Sequence, residues 1–471
     1  MRKFSIKDFR RALVAGIKLA IIIVSVVIMA FIQSFFYSET MFVLRGNLLV
    51  YFIYMLLLIS CTTIFDALRI GYHRTRELAL SYLLSVLMAN ILMYFIFSLL
   101  ASRMLPFWPI LTCSGVQWLI CLFLFFIGHK VYIVTRPSRA CLAIVGKQRW
   151  EHEAVIKLTR ERHRYDLRRV IPADAPFDEL RKEMDQYRVI ILGLVDTELR
   201  AKIIDYCFVQ QKRLLILPNM GDIILNSARP FLSSDSLFYT CRNQPLSLEQ
   251  LLVKRLMDIA ISLILIVVTL PITLIVALLI YLYDRGPVFF YQKRYTRNGE
   301  IFTLIKFRSM RVDAEKDGAQ LTVPNDSRVT PIGRFIRRTR IDELPQLINV
   351  LKSEMSLVGP RAERVENTDY YADLMPEFLY RHRVKAGLTG YAQIYGRYNT
   401  TYEDKARLDL LYIENYSLRL DLSLLLSTVK VLFRSESTEG FDTALIDNLC
   451  SNEDCDDDVL RAVANRPVEE E

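Results

Sequence analysis

The hydrophobic pattern separates an apolar first third of the chain from a mixed remainder. A bilayer-spanning helix needs about 20 apolar residues, and four segments meet that length. They cover residues 12–35, 48–65, 78–101 and 107–131. A fifth apolar stretch covers residues 259–283 and has Pro271 in its middle. We therefore predict four transmembrane helices and a fifth helix that also enters the membrane.

Basic residues flank the four segments unevenly. The chain before the first segment and the second connection are rich in Lys and Arg, whereas the first and third connections each carry one basic residue, Arg45 and Arg103. Because basic loops stay in the cytoplasm, both ends of the bundle are predicted to be cytoplasmic. The net charge of +9 is explained first by loops lying against anionic lipid headgroups, so no nucleic acid partner is predicted.

The pattern from residue 136 to 245 is typical of a soluble α/β domain. Apolar runs at 141–145, 189–194 and 214–217 predict buried parallel strands, and an amphipathic helix is predicted at 199–211. Strands that alternate with helices predict a Rossmann-like sheet. The loop at 145–149 has one glycine where the dinucleotide motif G-x-G-x-x-G needs three. This domain is therefore interpreted as degenerate, with a structural or regulatory role.

The fifth apolar stretch has basic residues on both sides, Lys254 and Arg255 before it and Arg285 after it. A spanning helix would place one of these flanks outside, against the positive-inside tendency. A helix that bends at Pro271 and returns to the same face satisfies both flanks, because proline removes a helix hydrogen bond. From the residues alone, a re-entrant helix and a kinked spanning helix both stay open.

Cysteine and histidine usage excludes several kinds of site. The eight cysteines form no C-x-x-C pair, and several lie inside apolar runs, which favours a reducing compartment over a disulfide framework or a zinc site. The five histidines are scattered. The first apolar run is too long for a signal peptide and lacks a cleavage site. The tail at 435–471 is acidic and is predicted to be a solvated extension.

The strongest chemical pattern lies at residues 334–346. Four arginines precede two adjacent carboxylates, Asp342 and Glu343. A carboxylate can attack phosphorus as a nucleophile, and arginines stabilise phosphate oxygens through paired hydrogen bonds. A second carboxylate can hold Mg²⁺ together with substrate phosphates. Taken alone, the run is also compatible with a solvated helix face that carries ion pairs.

Other basic and glycine-rich motifs surround this run. They are KFRSM at 306–310, VGPR at 358–361, and KAGLTGYAQ at 385–393, which GR at 396–397 follows. Glycine permits close approach of the backbone to a ligand. Many basic groups near two carboxylates, behind a membrane segment, indicate a polyanionic substrate that meets a lipid.

Six ordered blocks then establish a resemblance. They are KRLMD at 254–258, GPVF at 286–289, KFRSM at 306–310, IDELPQ at 341–346, MSLVGPR at 355–361 and GLTGYAQ at 387–393. Residues 254–434 resemble the bacterial sugar transferase family, the monotopic phosphoglycosyl transferases. The whole chain resembles the long members of this family, the polyprenyl-phosphate hexose-1-phosphate transferases. It differs from the family pattern at Leu270, Ala386 and Tyr391, where Ser, Pro and Trp are usual.

The resemblance implies an activity and its residues. A sugar 1-phosphate would pass from a UDP-sugar, with glucose weakly favoured over galactose, to polyprenyl (undecaprenyl) phosphate with release of UMP. This is the initiating step of exopolysaccharide, capsule or other surface glycan synthesis. Asp342 would be the nucleophile, and Glu343 would bind Mg²⁺. The residues expected to contact phosphate are Arg337, Arg361, Arg397, Lys306 and Arg308.

The resemblance also implies the architecture, a combination of membrane α and α/β parts. It comprises four transmembrane helices (1–135), the Rossmann-like domain (136–245), an α+β catalytic domain (246–434) with a re-entrant helix at about 255–283, and the acidic tail. The protein is expected in the bacterial inner membrane, with the catalytic domain on the cytoplasmic face. The UDP-sugar, polyprenyl phosphate, lipid bilayer and downstream glycosyltransferases would be its partners, and a homo-oligomer is left open.

Three other functions are weaker. A membrane-anchored nucleotide-sugar dehydratase needs a glycine-rich NAD loop, which residues 145–149 do not provide. A non-catalytic scaffold would not need the intact pair of Asp342 and Glu343. A nucleotide exporter needs charges inside the membrane, and the apolar segments have almost none. Lys18 is the exception, and it lies near enough to the cytoplasmic end for its amine to reach the interface.

Overall fold

The computed structural model describes most of the chain in two compact units. One unit extends to Leu217 and the other begins at Pro218. The described residues are 6–43, 45–71, 75–135, 138–146, 149–159, 164–312, 314, 326–396 and 400–432. Arg397 and the acidic tail lie outside them, as do Cys450 and Cys455. The predicted domain boundaries stay predictions.

The first unit begins with four long apolar helices, close to the predicted positions. They are α1 (Ile6–Phe36), α2 (Gly46–Ile64), α3 (Thr75–Leu100) and α4 (Trp108–Thr135). Each contains a segment long and apolar enough to cross a membrane. Large apolar side chains such as Phe31, Phe95 and Leu99 point outward, which is the arrangement that a lipid environment favours.

A network of uncharged polar side chains joins these helices in their common core. Tyr54 on α2 donates to Asn90 Oδ1 on α3 at 2.7 Å. The amide nitrogen of Asn90 donates to Ser114 Oγ and to Gln117 Oε1 on α4, both at 2.8 Å. The amide nitrogen of Gln117 reaches the carbonyl of Ser25 on α1 at 2.8 Å and the hydroxyl of Tyr54 at 2.9 Å. Every group of this network is buried and bonded, so it fixes the register of all four helices.

The rest of the first unit is a four-stranded parallel sheet with helices on both faces. Its strands are β1 (Arg139–Val145), β2 (Tyr165–Pro172), β3 (Val189–Leu192) and β4 (Arg213–Ile216), in the order β2-β1-β3-β4. Its helices are α5 (Arg149–Thr159), α6 (Phe177–Gln186) and α7 (Thr197–Val209). The three predicted strands are confirmed. Apolar side chains of α5 pack on one face of the sheet, and those of α6 and α7 pack on the other.

A single buried carboxylate joins the ends of the two central strands. Oε2 of Glu151 accepts the backbone N–H of Gly146, which follows β1, and that of Leu194, which follows β3, each at 3.0 Å. A side-chain carbon added to Gly193 would lie 2.5 Å from the same oxygen. In parallel α/β sheets, amides at the carboxyl ends of neighbouring strands are the usual donors to a bound phosphate. Here an internal carboxylate takes up those donors.

The second unit combines helices with small sheets. It begins with α8 (Met220–Ser227) and the hairpin of β5 (Arg229–Ser233) and β6 (Ser236–Thr240). After the long helix α9 (Leu248–Asp284) come the antiparallel pair β7 (Phe289–Tyr295) and β8 (Ile301–Phe307), α10 (Pro331–Arg338), α11 (Gln346–Leu351) and β9 (Ser356–Val358). It ends with α12 (Val365–Leu374), β10 (Gly387–Thr389), α13 (Tyr391–Tyr395), α14 (Tyr402–Glu414) and α15 (Leu418–Leu432).

Helix α9 is the fifth helix apolar and long enough to cross a membrane. It starts before the predicted residue 255 because Ser247 and Gln250 form a reciprocal cap at its first turn. It ends where Arg285 adopts a left-handed backbone with φ of 51°. Its 37 residues extend for about 55 Å, more than the roughly 30 Å of a bilayer core. The helix continues through Pro271, and the re-entrant path stays a prediction.

Polar side chains at the start of α9 hold the core of the second unit together. Lys254 forms a buried ion pair with Asp421 at 2.5 Å and donates to the carbonyl of Val358 at 2.9 Å. Asp258 accepts from Ser356 Oγ at 2.8 Å and from the N–H of Leu357 at 3.1 Å. These contacts fix β9, which leads directly into the VGPR loop.

Candidate active site

Helix α10 brings its arginines close to the KFRSM segment. Thr330 caps the helix by accepting the N–H of Gly333 at 2.9 Å. A side-chain carbon on Gly333 would lie only 1.9 Å from the carbonyl oxygen of Ser309, so glycine is required for this approach. One turn later, Nε of Arg337 donates to Ser309 Oγ at 2.9 Å. The two motifs that surround the carboxylates are thereby joined.

Asp342 lies in a short helical turn, Ile341–Glu343, that follows α10. Arg340 reverses the chain before this turn with a positive φ of 57°. The Asp342 side chain is buried, and its carboxylate accepts no hydrogen bond from a described residue. Burial, together with repulsion from Glu343, raises the pKa of Asp342 to about 6, against the attraction of Lys306, Arg337 and Arg340. A desolvated carboxylate of this kind is available as a nucleophile.

Glu343, the neighbouring carboxylate, is held by two arginines. Arg361 donates to its Oε1 at 2.9 Å, and Arg340 lies 3.5 Å from the same atom. Burial alone would raise the pKa of Glu343, but the attraction of Arg361 and Arg340 is stronger and lowers it. Glu343 therefore keeps its charge near neutral pH.

The oxygen Oε2 of Glu343 is left without a hydrogen bond from the described residues. Because Mg²⁺ binds proteins through one or two carboxylates and takes its other ligands from substrate phosphates and water, the pair of Asp342 and Glu343 fits this metal. Across the described part of the chain, no group of three or more His, Cys, Asp or Glu residues fits a metal ion. A metal at this site would therefore depend on phosphate oxygens as further ligands.

Lys306 is a cation that, like Arg337, lies near Asp342. Its Nζ lies 4.9 Å from the centroid of the Phe290 ring. Burial and the neighbouring Arg294 lower the pKa of Lys306 to about 8, against the attraction of Asp342. Lys306 and Arg337 thus both lower the pKa of Asp342 through their positive charge. Four of the other predicted site residues lie around Asp342. These are Lys306, Arg337, Glu343 and Arg361.

Arg308, another predicted phosphate contact, is engaged with the end of the long helix. It forms an ion pair with Asp284, and it packs on Gly286, where a side-chain carbon would lie 2.4 Å from its Nη1. This contact joins the end of α9 to the KFRSM segment. The geometry therefore indicates a structural role for Arg308, whereas the predicted contact of Arg397 lies outside the described residues.

Two further arginines near the carboxylates, Arg294 and Arg364, were not predicted from the sequence. Both contribute to the lowered pKa of Lys306. Arg294 donates to the carbonyl of Ala362 at 2.8 Å, and its buried Nε has no hydrogen-bond partner among the residues that the structure describes. The turn at Asn298 and Gly299 is a strong hairpin signal, and its register places Arg294 and Lys306 on one face of the β7–β8 pair.

Two glycine loops cross behind Arg361 and set its position. The N–H of Gly359 donates to the carbonyl of Thr389 at 2.9 Å, and the N–H of Gly387 donates to that of Pro360 at 2.8 Å. A side-chain carbon on Gly387 would lie 2.1 Å from the nitrogen of Gly359. The VGPR and GLTG motifs therefore need glycine in order to pack on each other.

Comparison with known proteins shows which family the second unit resembles. The profile of the family described as bacterial sugar transferase matches residues 249–435. The exopolysaccharide production protein PSS of Rhizobium leguminosarum bv. phaseoli is 43% identical over 199 residues, which are 40% of this chain and 98% of that protein.

Two longer relatives match a part of similar length. The UDP-glucose:undecaprenyl-phosphate glucose-1-phosphate transferase of Klebsiella pneumoniae is 40% identical over 192 residues, which are 40% of this chain and 41% of that protein. The UDP-N-acetylgalactosamine-undecaprenyl-phosphate N-acetylgalactosaminephosphotransferase of Aeromonas hydrophila is 42% identical over 183 residues, 38% and 43% of the two chains. The match thus spans about two-fifths of these longer relatives and almost all of PSS. The chain belongs to the bacterial sugar transferase family.

Proposed function

We propose that this protein transfers a hexose 1-phosphate from a UDP-sugar to undecaprenyl phosphate, and so starts the assembly of a surface polysaccharide. The observation that carries the proposal is the buried Asp342 carboxylate, which has no hydrogen bond from a described residue and lies among Lys306, Arg337 and Glu343. It lies within residues 249–435, which match the bacterial sugar transferase family, and relatives of this chain are named as undecaprenyl-phosphate sugar transferases.

In the first step, an oxygen of Asp342 attacks the phosphorus that bears the sugar. A bond forms between this oxygen and phosphorus, and the bond from phosphorus to the bridging oxygen breaks, so that UMP leaves with the electron pair. Arg337 and Lys306 stabilise the negative charge that develops on the phosphate oxygens. Arg361 contributes by holding Glu343, and Arg397 is proposed as a further phosphate contact.

In the second step, the terminal phosphate oxygen of undecaprenyl phosphate attacks the same phosphorus. The bond to Asp342 breaks, the carboxylate is restored, and the lipid leaves as a diphosphate that carries the sugar. Mg²⁺, held by Glu343, would neutralise charge on the phosphate oxygens. Asp342 acts twice, first as the nucleophile and then as the leaving group. Its raised pKa of about 6 makes its carboxylate a stronger nucleophile than an ordinary carboxylate, and the group is still mostly ionised at neutral pH.

The membrane arrangement completes the proposal. Helices α1 to α4 span the inner membrane, and α9 enters from the cytoplasmic face, bends at Pro271 and returns. This places Asp342 at the cytoplasmic surface, where a soluble nucleotide sugar meets the lipid phosphate. The parallel sheet of the first unit is proposed to be a Rossmann-like domain in the cytoplasm. Basic residues beside the apolar segments support this orientation.

The test is nucleotide release by the purified full chain in detergent with Mg²⁺. UDP-glucose, UDP-galactose and UDP-N-acetylgalactosamine are supplied in turn, because the relatives are named for different sugars. We expect UMP release that requires undecaprenyl phosphate for turnover and is absent from Asp342→Asn. Asp178→Asn, which replaces an exposed carboxylate on α6, is the matched control and keeps full activity.

The nucleotide that is released separates the proposal from its rivals. UDP as the product would mean ordinary glycosyl transfer and would overturn the mechanism. Release of UMP by Asp342→Asn at the wild-type rate would remove Asp342 as the nucleophile. A single turnover without lipid leaves sugar phosphate on the protein, and mass spectrometry of the quenched enzyme should locate it on Asp342.

A further inference from the structure

A buried ion pair lies behind the candidate site, on residues that the proposed mechanism does not use. Arg381 and Asp409 bond at 2.7 Å, and their side chains are only 3% and 1% exposed. Asp409 belongs to α14, whereas Arg381 belongs to the short helical segment Pro376–Arg383. Two charges are costly to remove from water, and such pairs often add little to stability compared with apolar residues. The burial of this pair therefore points to a role in positioning neighbouring residues rather than in stability.

Arg381 connects this pair to the site. The nitrogen Nη2 that binds Asp409 also donates to the backbone carbonyl of Arg361 at 3.1 Å. The side chain of Arg361 in turn holds Glu343 at 2.9 Å. Arg381 thus fixes the main chain of the residue whose guanidinium fixes the carboxylate next to Asp342.

Glu363 adds a carboxylate between the two arginines. Burial alone would raise its pKa, but Arg381, Lys405 and Arg361 lower it, and Lys405 lies 3.8 Å from it. Charges therefore alternate from Glu343 through Arg361, Glu363 and Arg381 to Asp409. Asp409 and Arg381 are the most deeply buried members, at 1% and 3% exposed, whereas Arg361 is 44% exposed. The series is anchored in the core and ends at the site.

Arg381 is itself held rigidly. Its guanidinium carbon lies 4.6 Å from the centroid of the fully buried Phe378 ring. Its Nη1 is buried and has no hydrogen-bond partner in the described part of the chain, so the geometry of the guanidinium depends on the bonds of Nη2. Loss of the charge on Asp409 would weaken the stronger of these bonds and loosen the hold on Arg361.

We infer that the Arg381–Asp409 pair is a positioning element for catalysis, which acts through the backbone of Arg361 to fix Glu343. The inference rests on the proposed function. Removal of a group that hydrogen-bonds to a ligating residue and orients it typically lowers activity tenfold to a hundredfold. We expect kcat for UMP release to fall by about that factor in Asp409→Asn, with KM for the UDP-sugar changed less than about threefold.

The chain offers a closely matched control. Glu414 also belongs to α14, is 3% exposed, and pairs at 3.1 Å with Arg383 of the same short helical segment. Arg383, however, donates to the backbone carbonyls of Arg242 and Asn243 instead of Arg361. Glu414→Gln therefore removes a similar buried charge without disturbing Arg361. Its thermal midpoint should fall about as far as that of Asp409→Asn, while kcat stays within about twofold.

A double-mutant cycle tests the route through Arg361. Coupled residues give non-additive effects, so Asp409→Asn should lower kcat strongly in the wild type and less than twofold in an Arg361→Ala background. Equal loss in both backgrounds, or equal loss of kcat in Glu414→Gln, would overturn the inference. If Asp409→Asn does not fold, Arg381→Lys is measured in the same cycle with the same criteria. Failure of the wild type to release UMP would instead reject the proposed function.

Discussion

The membrane bundle and the catalytic unit both bury polar groups, but they use them in opposite ways. Around Asn90 the groups are neutral, and every donor and acceptor of the amides is bonded. Around Asp342 the groups are charged, and the buried Nε of Arg294 has no hydrogen-bond partner among the described residues. A satisfied neutral network specifies one structure at little electrostatic cost. A charged network with open donors is prepared for a ligand that carries charge.

The largest effect should come from the group that this charged network surrounds. Asp342→Asn should lower turnover at least about ten-thousandfold, since an amide cannot form the covalent intermediate; this corresponds to more than about 5 kcal/mol in activation free energy.

The same variant should be more stable at pH 7. The pKa of Asp342 in the folded protein, about 6, exceeds its ordinary value. The folded state therefore binds a proton more tightly than the unfolded chain, and the free energy of unfolding falls as pH rises through 6. Thermal melting in EDTA-containing buffer measures this gain, and a lower midpoint for the variant would contradict it.

The next effect tests whether charges in the catalytic unit depend on their partners. Lys254→Met leaves Asp421 buried without its cation, which should cost about 3–5 kcal/mol in unfolding free energy. The double variant with Asp421→Leu should recover part of this loss because no charge remains unpaired. Denaturant titration in detergent compares the three proteins. Equal stability of the single and double variants would show that the charges are solvated rather than buried.

A smaller effect is expected in the bundle. Asn90→Leu leaves groups of Tyr54 and Gln117 without partners and should cost about 1–2 kcal/mol, the upper range for hydrogen bonds between membrane helices. Turnover for each folded molecule should not change. Leu99→Ala, on the exposed side of α3, is the control and should alter stability less. A loss of specific activity in Asn90→Leu would mean that the bundle influences catalysis.

The smallest effect concerns a histidine beside the charged network. Burial, followed by the nearby Arg381, lowers the pKa of His382 to about 4, against the attraction of Asp369. The ring of Tyr295 covers it at 5.3 Å. Between pH 6.5 and 4, the unfolded chain therefore binds a proton that the folded chain does not, so this contribution to stability is lost as pH falls. The thermal midpoint of His382→Gln should depend less on pH in this window than that of the wild type; parallel curves would exclude the effect.

Elements with a simple hydrophobic pattern could be predicted from the sequence. The four bundle helices and strands β1, β3 and β4 are continuous apolar runs, and they appear near the expected positions. Strand β2 was missed because Asp166, Arg168 and Arg169 interrupt its apolar residues, as an edge strand permits. Strands β9 and β10 have three residues each, too few to show any period, and they lie inside the MSLVGPR and GLTGYAQ motifs.

The candidate site was predictable where chemistry is concentrated in one run or motif. The Asp342–Glu343 pair, Arg337, Arg361 and Lys306 belong to such motifs, and the structure brings them together. Arg381 and Asp409 could not be found in this way, because they are 28 positions apart and each looks like an ordinary helical surface residue. Arg308, a basic residue inside a motif, forms an ion pair with Asp284, so its predicted phosphate contact stays a prediction.

The carboxylate of Glu151 has an evolutionary consequence for the sheet of the first unit. It accepts the backbone N–H groups of Gly146 and Leu194. These loops at the strand ends therefore already bind a negative charge from the chain itself, in the place where a nucleotide phosphate would bind. A mutation that only removed Glu151 would expose two amides without restoring the missing glycines of the loop. A mutation that only restored a glycine would leave the position occupied. Nucleotide binding at these amides would therefore require two changes together, the removal of the internal carboxylate and the gain of glycine in the loop.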